Sequence, residues 1–492
     1  MARNEYFKYR ELAELRARVA ELGLFGDIGF VDEVHPGAGE RLFASPAKFG
    51  PFELSNRLVA HPMEGWDCDP ATGALTADAV RRWRRMAESG ASLLWGMEAM
   101  AVGFDYRANG RQLVLIRDNL GSLADGMKAV REAHASSPNS GNRLAVGAQI
   151  TCSGRYSSGR RPGAPLLLTY HHPELDQRVG GGPDTPLMSD AQMEDLAGLY
   201  AASARVAREA GFDFIDIKSC HRYWLNETLA AKTRPGKYGG SFENRAKILF
   251  MIIDAVKREL GNDFPLGVRL NLYDGVPYEE DPETRRPGLK GRGRLSPYQV
   301  PYLWGWGVNE NDPLQPDLAE PIRLAGMLGE RGIKMINTSV GSPYSNPHMQ
   351  RPTDTPPVDG YQPFRDPLID VAIHIALTRE LKRAHPEISV VGTGFTYFRN
   401  FKAQAMEYCL RNKWMDAVGV GRALLSYPDE LRMLVEKGEA IPGKGRQVCT
   451  GDSSCTTGPR LGLKSGCVFD PYYMDVMKDI RNRMKSLGLG GK

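Results

Sequence analysis

Nowhere in its 492 residues does the chain carry an uninterrupted apolar run of roughly 18 residues, the length a membrane-spanning helix needs. The opening stretch, "MARNEYFKYRELAELRARVAEL", lacks the apolar block of a secretory signal and shows an amphipathic helical pattern instead. A cytoplasmic location is therefore expected. An excess of one charge is missing too: 63 Lys and Arg face 59 Asp and Glu, leaving a net +4 with the basic residues scattered. Nucleic acid and membrane surfaces are poor partners for such a distribution, and a small-molecule substrate is the better expectation. Cysteine is scarce, and its odd count of seven argues against a disulfide framework. Cys68, Cys152, Cys220 and Cys409 are scattered, whereas Cys449, Cys455 and Cys467 gather in the tail. A strand–GxGxxG–helix unit is absent as well, which excludes an ordinary dinucleotide-binding domain within these residues.

What is present is ordinary globular material, 42% hydrophobic and 25% charged. From about residue 56 short apolar runs alternate with amphipathic helical stretches. The runs are "RLVAHPM", "ASLLWGME", "RLAVGAQI", "FDFIDIKS", "PLGVRLNL", "IKMINTSVG", "ISVVGTGF" and "DAVGVGRAL". The clearest helix, "SDAQMEDLAGLYAASARVAREAG", has Ser189 as its cap and Gly211 as its stop. Eight evenly paced strand–helix units predict an α/β fold, a (β/α)8 barrel, over residues 45–437. A doubly wound sheet is the alternative, and the absence of an early glycine-rich nucleotide turn weighs against it. Residues 1–44 read as an N-terminal helical extension and 438–492 as a short cysteine-containing tail. Long loops at 151–188 and 272–317, the latter carrying "PYLWGWG", are expected to lie over the active-site mouth.

Several residues stand at the carboxyl ends of these runs, where a barrel places its chemistry. "KSCHRYW" puts Lys218, His221 and Tyr223 there, either as catalytic groups or as the start of a polar loop. Gly392, Gly394 and Gly421, with Arg422 beside them, suit a phosphate dianion after the last two strands. Arg269 sits inside an apolar strand and needs an anionic or polarised partner. Gln149 offers an amide to a ring's N–H and C=O, or to backbone.

Over roughly residues 41–437 the chain resembles the old yellow enzyme family of FMN-dependent barrels. "LFASPAKFGPFELSNRLVAHPM" looks like the family's opening strand, and "KYGGSFENRAKILF" closely matches its Y-G-G-S-x-E-N-R signature. "QITCSGR" is similar to Q-L-x-H-x-G-R, with Cys152 where a histidine is usual, and "GVGRALLSYPDE" resembles the phosphate-binding end. The resemblance implies FMN held by Gln149 and Arg269 at the pyrimidine edge and by backbone around Met63 and Ala99. The phosphate would then lie near Gly392, Gly394, Gly421 and Arg422. It also implies a donor pair after the fourth strand that binds the substrate's oxygen, followed by a proton-donating tyrosine. Here that reads Lys218, His221 and Tyr223, with lysine replacing the usual first histidine. A lysine offers a positive charge or, once desolvated, a neutral amine. Glu64 in "HPMEGWD" stands where threonine or cysteine is usual. It would disfavour an anionic reduced flavin, pair with Lys218, attract a cationic substrate or simply face solvent.

The tail resembles that of the family's iron–sulfur members, such as 2,4-dienoyl-CoA reductase and trimethylamine dehydrogenase, which carry four cysteines after the barrel. This chain writes Cys449-x2-Asp452-x2-Cys455-x11-Cys467. The resemblance implies a [4Fe–4S] cluster with Asp452 as a weak corner, or a decayed site whose cysteines merely pack. The expected function is ene-reduction: hydride from reduced FMN to an activated C=C bond. NAD(P)H or an electron-transfer protein would be the electron source. Oxidation of an amine C–N bond is the alternative, and a flavin-binding sensor or scaffold the third reading. The sequence leaves homo-oligomerisation open.

Overall fold

The computed structural model describes residues 6–440 and 447–489. The few residues of the expected N-terminal extension and tail beyond these limits lie outside the described residues. Eight parallel strands close into a barrel: β1 Leu58–Ala60, β2 Leu93–Leu94, β3 Ala145–Thr151, β4 Phe214–Ser219, β5 Leu266–Asn271, β6 Met335–Ser339, β7 Ser389–Gly392 and β8 Ala417–Val420. The second stave resumes after an interruption as Ala99–Ala101, and both of its pieces pair with β3. Closure comes from β8 pairing with β1. Each strand is followed by a helix: α1 Ala77–Ala87, α2 Leu120–Ala135, α3 Asp190–Glu209, α4 Phe242–Leu260, α5 Ala319–Glu330, α6 Pro367–Ala384, α7 Lys402–Arg411 and α8 Glu430–Lys437.

Local chemistry explains these elements. Every residue of β4, "FIDIKS", is buried, as a parallel strand covered on both faces requires. Helix α3 starts on a reciprocal capping box: Gln192 N–H donates to Ser189 Oγ, and Ser189 N–H donates to Gln192 Oε1. Its end is marked by Gly211 at φ +95°. The barrel floor is plugged by Phe49, Trp95, Phe214 and Met335, with the Trp95 and Phe214 rings edge to face at 5.5 Å.

Among its described residues the N-terminal segment contributes one α-helix, Leu12–Glu21, which buries Leu15 and Val19. Arg18 Nε donates to Asp366 Oδ2 at 2.9 Å, tying this helix to the cap of α6. Two tail helices, Ser454–Arg460 and Met474–Ser486, follow the barrel. Arg81 of α1 anchors them through Asp470 at 3.0 Å. No helix among the described residues is long and apolar enough to cross a membrane.

Candidate active site

Strand register sets the site. In neighbouring strands Gln149 lies opposite Asp216, and Lys218 lies opposite Arg269. Asp216 and Lys218 are two residues apart on β4, so both project to the same face. At this carboxyl end opens a cavity of about 210 Å³, lined among others by Met63, Glu64, Ala99, Gln149, Lys218, His221, Tyr223, Arg269, Gly394, Gly421 and Arg422. Eleven of the twelve sequence-selected flavin and catalytic residues thus share one cavity. The exception is Gly392. A Cβ there would stand 2.2 Å from Met415 Sδ, so close side-chain packing accounts for this glycine. Gly394 has φ +102°, a conformation that favours glycine, and turns the backbone at the cavity wall.

The polar groups have defined roles in holding one another. Gln149 Nε2 donates to Asp216 Oδ2 at 2.5 Å, which leaves the amide oxygen as an acceptor. Burial raises the Asp216 carboxyl to about 7, opposed by the bond from Gln149 and the charge of Arg269. Arg269 Nε and Asp216 Oδ1 are buried without hydrogen-bond partners, polar atoms that a bound group with its own donors and acceptors would satisfy. The Met63 backbone is already engaged, since its N–H donates to the Met97 carbonyl and its carbonyl accepts from Arg82 Nη1 at 2.9 Å. The Ala99 carbonyl accepts from Gln112 Nε2. Both residues line the cavity wall, and each of these carbonyls retains a second lone pair.

"KSCHRYW" leaves its strand under backbone strain. His221 and Arg222 both take positive φ, +67° and +56°, an arrangement costing of order 1–3 kcal/mol per residue. Arg222 holds it in place: its N–H donates to Asn226 Oδ1, and its guanidinium donates to the carbonyls of Trp304 and Gly275. His221 Nε2 lies 3.0 Å from Ser339 Oγ. Burial and then the charges of Lys218 and Arg269 push the His221 pKa well below the ordinary histidine range. Lys218 Nζ sits 3.8 Å above the centre of the Tyr223 ring. Its pKa is lowered chiefly by burial, with Glu64 pulling the other way. The Tyr223 and Tyr344 hydroxyls are 3.1 Å apart. Burial holds the Tyr223 pKa well above the ordinary phenol. Glu64 Oε1 accepts from Trp66 Nε1 at 2.6 Å.

The loops at 151–188 and 272–317 differ from expectation. None of their residues lines the cavity. They buttress it instead: the Tyr156 ring stacks on Tyr344 at 4.1 Å, and Trp304 accepts from Arg222. The cavity is lined further by the loop around Tyr344, Gln350 and Arg351 and by tail residues Cys455, Thr456, Pro459, Arg460 and Ser465. Sequence reading missed Arg82. It occupies an apolar slot of the α1 stripe Ala79, Arg82, Trp83, Met86, and that misplaced charge was the available signal. Its Nη2 donates to Asp67 Oδ1 at 2.6 Å and Glu98 Oε1 at 3.0 Å. Asp67, Cys68 and Glu98 form the metal-compatible group found among the described residues, but both carboxylates are already paired with Arg82.

Cys449, Asp452, Cys455 and Cys467 line a second, small pocket together with Arg422. Cys455 and Arg422 line both pockets. Three thiols and one carboxylate therefore border the same small pocket. The fourth corner is less free: Asp452 Oδ2 accepts from Thr450 Oγ1 and Oδ1 accepts from the Ser454 N–H. A carboxylate retains further lone pairs, so the set fits a cluster with three thiolate corners and one weak one.

Residues 41–283 match the model of a family described as NADH:flavin oxidoreductase / NADH oxidase. An NADPH dehydrogenase of Geobacillus sp. (strain WCH70) is 31% identical over 246 residues, 48% of this chain and 65% of that protein. An NADPH dehydrogenase of Halalkalibacterium halodurans is 26% identical over 391 residues, 79% of this chain and 92% of that protein. Among solved structures, a 2-naphthoyl-CoA reductase complex superposes with a TM-score of 0.64 at 17% identity, covering 89% of this chain and 58% of that one. Morphinone reductase in complex with tetrahydroNAD gives 0.54 at 20% identity, covering 81% and 92%. These structural likenesses establish the fold. The chain spans 65%, 61% and 33% of the first three curated relatives, less than two thirds of each.

Proposed function

We propose that this chain, whose residues 41–283 match the NADH:flavin oxidoreductase / NADH oxidase family model, is an FMN-dependent oxidoreductase that reduces an activated C=C bond. The observation that carries this reading is the convergence of Lys218, His221 and Tyr223 on the cavity that Gln149, Arg269 and Gly394 also line. Gln149 and Arg269 would hold the pyrimidine edge of FMN, and Gly394, Gly421 and Arg422 its phosphate. FMN, when bound and reduced by NAD(P)H or an outside carrier, supplies the hydride.

The chain's own residues do the rest. His221, neutral in the physiological range, donates a ring N–H to the substrate oxygen as negative charge develops there. Lys218 adds a second donor. Tyr223 keeps its proton at Oη and delivers it to the carbon next to the activating group. Hydride at the β-carbon and proton at the α-carbon together saturate the double bond. Amine oxidation finds less support. The aromatic faces that would cradle an ammonium already carry the chain's own cations, Lys218 over Tyr223 and Arg460 over Trp66 and Tyr344.

Denaturing the purified protein should release FMN. His221→Ala should slow reoxidation of reduced flavin by a simple enone by about 10²-fold, measured anaerobically by stopped flow, while flavin reduction changes little. Equal effects on both half-reactions would remove His221 from the substrate site.

A further inference from the structure

Arg460 reaches the cavity from a tail helix 394 positions after Trp66 in sequence, yet its guanidinium carbon lies 4.7 Å from the Trp66 ring centre and 5.0 Å from that of Tyr344. We propose that Arg460 determines substrate class: it closes the aromatic recess to cations and presents its guanidinium to the carboxylate of an acidic, conjugated substrate. This rests on the flavin oxidoreductase reading above.

Charge balance carries the argument. Arg82, Lys218, Arg269, Arg351, Arg422 and Arg460 line the cavity, against Glu64 as the lining carboxylate. Arg82 is neutralised by Asp67 and Glu98. Arg422 and Arg269 would hold the phosphate and the pyrimidine edge of the cofactor on the reading above. Arg351 stands close to both Arg422 and Arg460. Burial and then these two like charges lower its pKa to about 10. Its Nη1 donates to Thr456 Oγ1 at 2.7 Å, and its Nη2 is buried without a partner. An anion bound there would relieve both the repulsion and the unpaired donor. Lys218 and Arg460 then remain opposite Glu64, one positive charge in excess. Asp359, 3.0 Å from Arg460 Nε, is 40% exposed and does not line the cavity; a pair so open to solvent offsets little. Arg460 is therefore only partly compensated, and a substrate carboxylate would complete its pairing on the cavity side. Arginine suits the task because its planar fork matches a carboxylate.

The test uses the oxidised FMN-loaded protein and two probes of nearly equal shape, cyclohex-1-ene-1-carboxylate and 1-acetylcyclohexene, each titrated against the flavin absorbance spectrum. The wild type should bind the carboxylate more tightly than the ketone. Arg460→Gln should reduce that preference at least tenfold, and Arg460→Lys should restore part of it. Asp359→Asn, which leaves Arg460 in place and removes a competing carboxylate, should increase the preference and keeps the test informative if Arg460→Gln sheds its FMN. A wild type that prefers the ketone, or a preference unchanged by Arg460→Gln, overturns the proposal. So does an Arg460→Gln variant that newly binds tetramethylammonium while holding the carboxylate as before, because Arg460 is then only a plug. The titration needs no turnover. A protein that binds the carboxylate as described but never transfers hydride overturns the oxidoreductase reading and leaves this one standing.

Discussion

The two halves of the cavity are built differently. The barrel half presents buried side chains whose partners belong to other segments of the barrel: Gln149 on Asp216 in the adjacent strand, His221 on Ser339 two strands away, and Arg82 on Asp67 and Glu98 in the loops beyond the first two strands. The tail half presents Cys455, Thr456 and Arg460 from a single seven-residue helix, Ser454–Arg460. It is held by side-chain contacts such as Arg351 to Thr456 and Arg81 to Asp470. The strand residues of the barrel half, such as Gln149 and Asp216, are positioned by the main-chain ladder. The tail half is positioned by a few side chains, so its residues can change without disturbing the barrel.

The sharpest way to break this contrast is Arg82→Met. It leaves Asp67 and Glu98 buried without their cation and frees the Met63 carbonyl. The loss expected is about 3–5 kcal/mol of stability, read from urea unfolding, with FMN retention falling in parallel. A loss below about 1 kcal/mol would mean that the carboxylates find other partners or are protonated.

A smaller effect, with a defined sign, is expected at Asp216. Its neighbours are Gln149, Arg269 and Trp95, and burial lifts its folded-state pKa to about 7, against about 3.9 when unfolded. Between these values the folded protein binds the extra proton, so this group's contribution falls as pH rises from about 4 to about 7 and stays low above. Asp216→Asn should remove that dependence. The variant's stability relative to wild type should be greater at pH 8 than at pH 5 by a few kcal/mol, measured by urea unfolding at both. The same difference at the two pH values would refute the raised pKa.

The smallest change in fold stability is expected in the tail half. Protein purified without oxygen should contain iron and sulfide along with FMN, and Asp452→Cys should slow iron loss in air severalfold, since thiolate replaces the weak corner. Stability should move by under about 1 kcal/mol, as for most substitutions of partly exposed loop residues. Full FMN with no iron would leave Cys449, Cys455 and Cys467 as packing residues.

Much of the barrel half could be read from sequence because its signals are local and periodic. Apolar runs marked the eight strands. Their carboxyl ends marked Lys218, His221, Gly394 and Gly421, and a single charge in an apolar strand marked Arg269. Gly392 was read with the same logic, yet the close approach of Met415 explains it, and that approach is invisible in one dimension. The loop 272–317 was expected at the mouth from its length. None of its residues lines the cavity, and its Gly275 and Trp304 carbonyls accept from Arg222.

By itself the sequence determined the strand–helix rhythm, the direction in which side chains leave each strand, and the residue types at the strand ends, because these follow from steric periodicity and burial over a few neighbouring positions. Only the tertiary structure decided that Arg460 meets Trp66 and Tyr344, that Arg82 answers to Asp67 and Glu98, and that Cys455 borders two pockets at once. Those pairings join segments with no shared periodicity. What selects them is the cost of burying charge and aromatic surface, which is settled when the whole chain has closed.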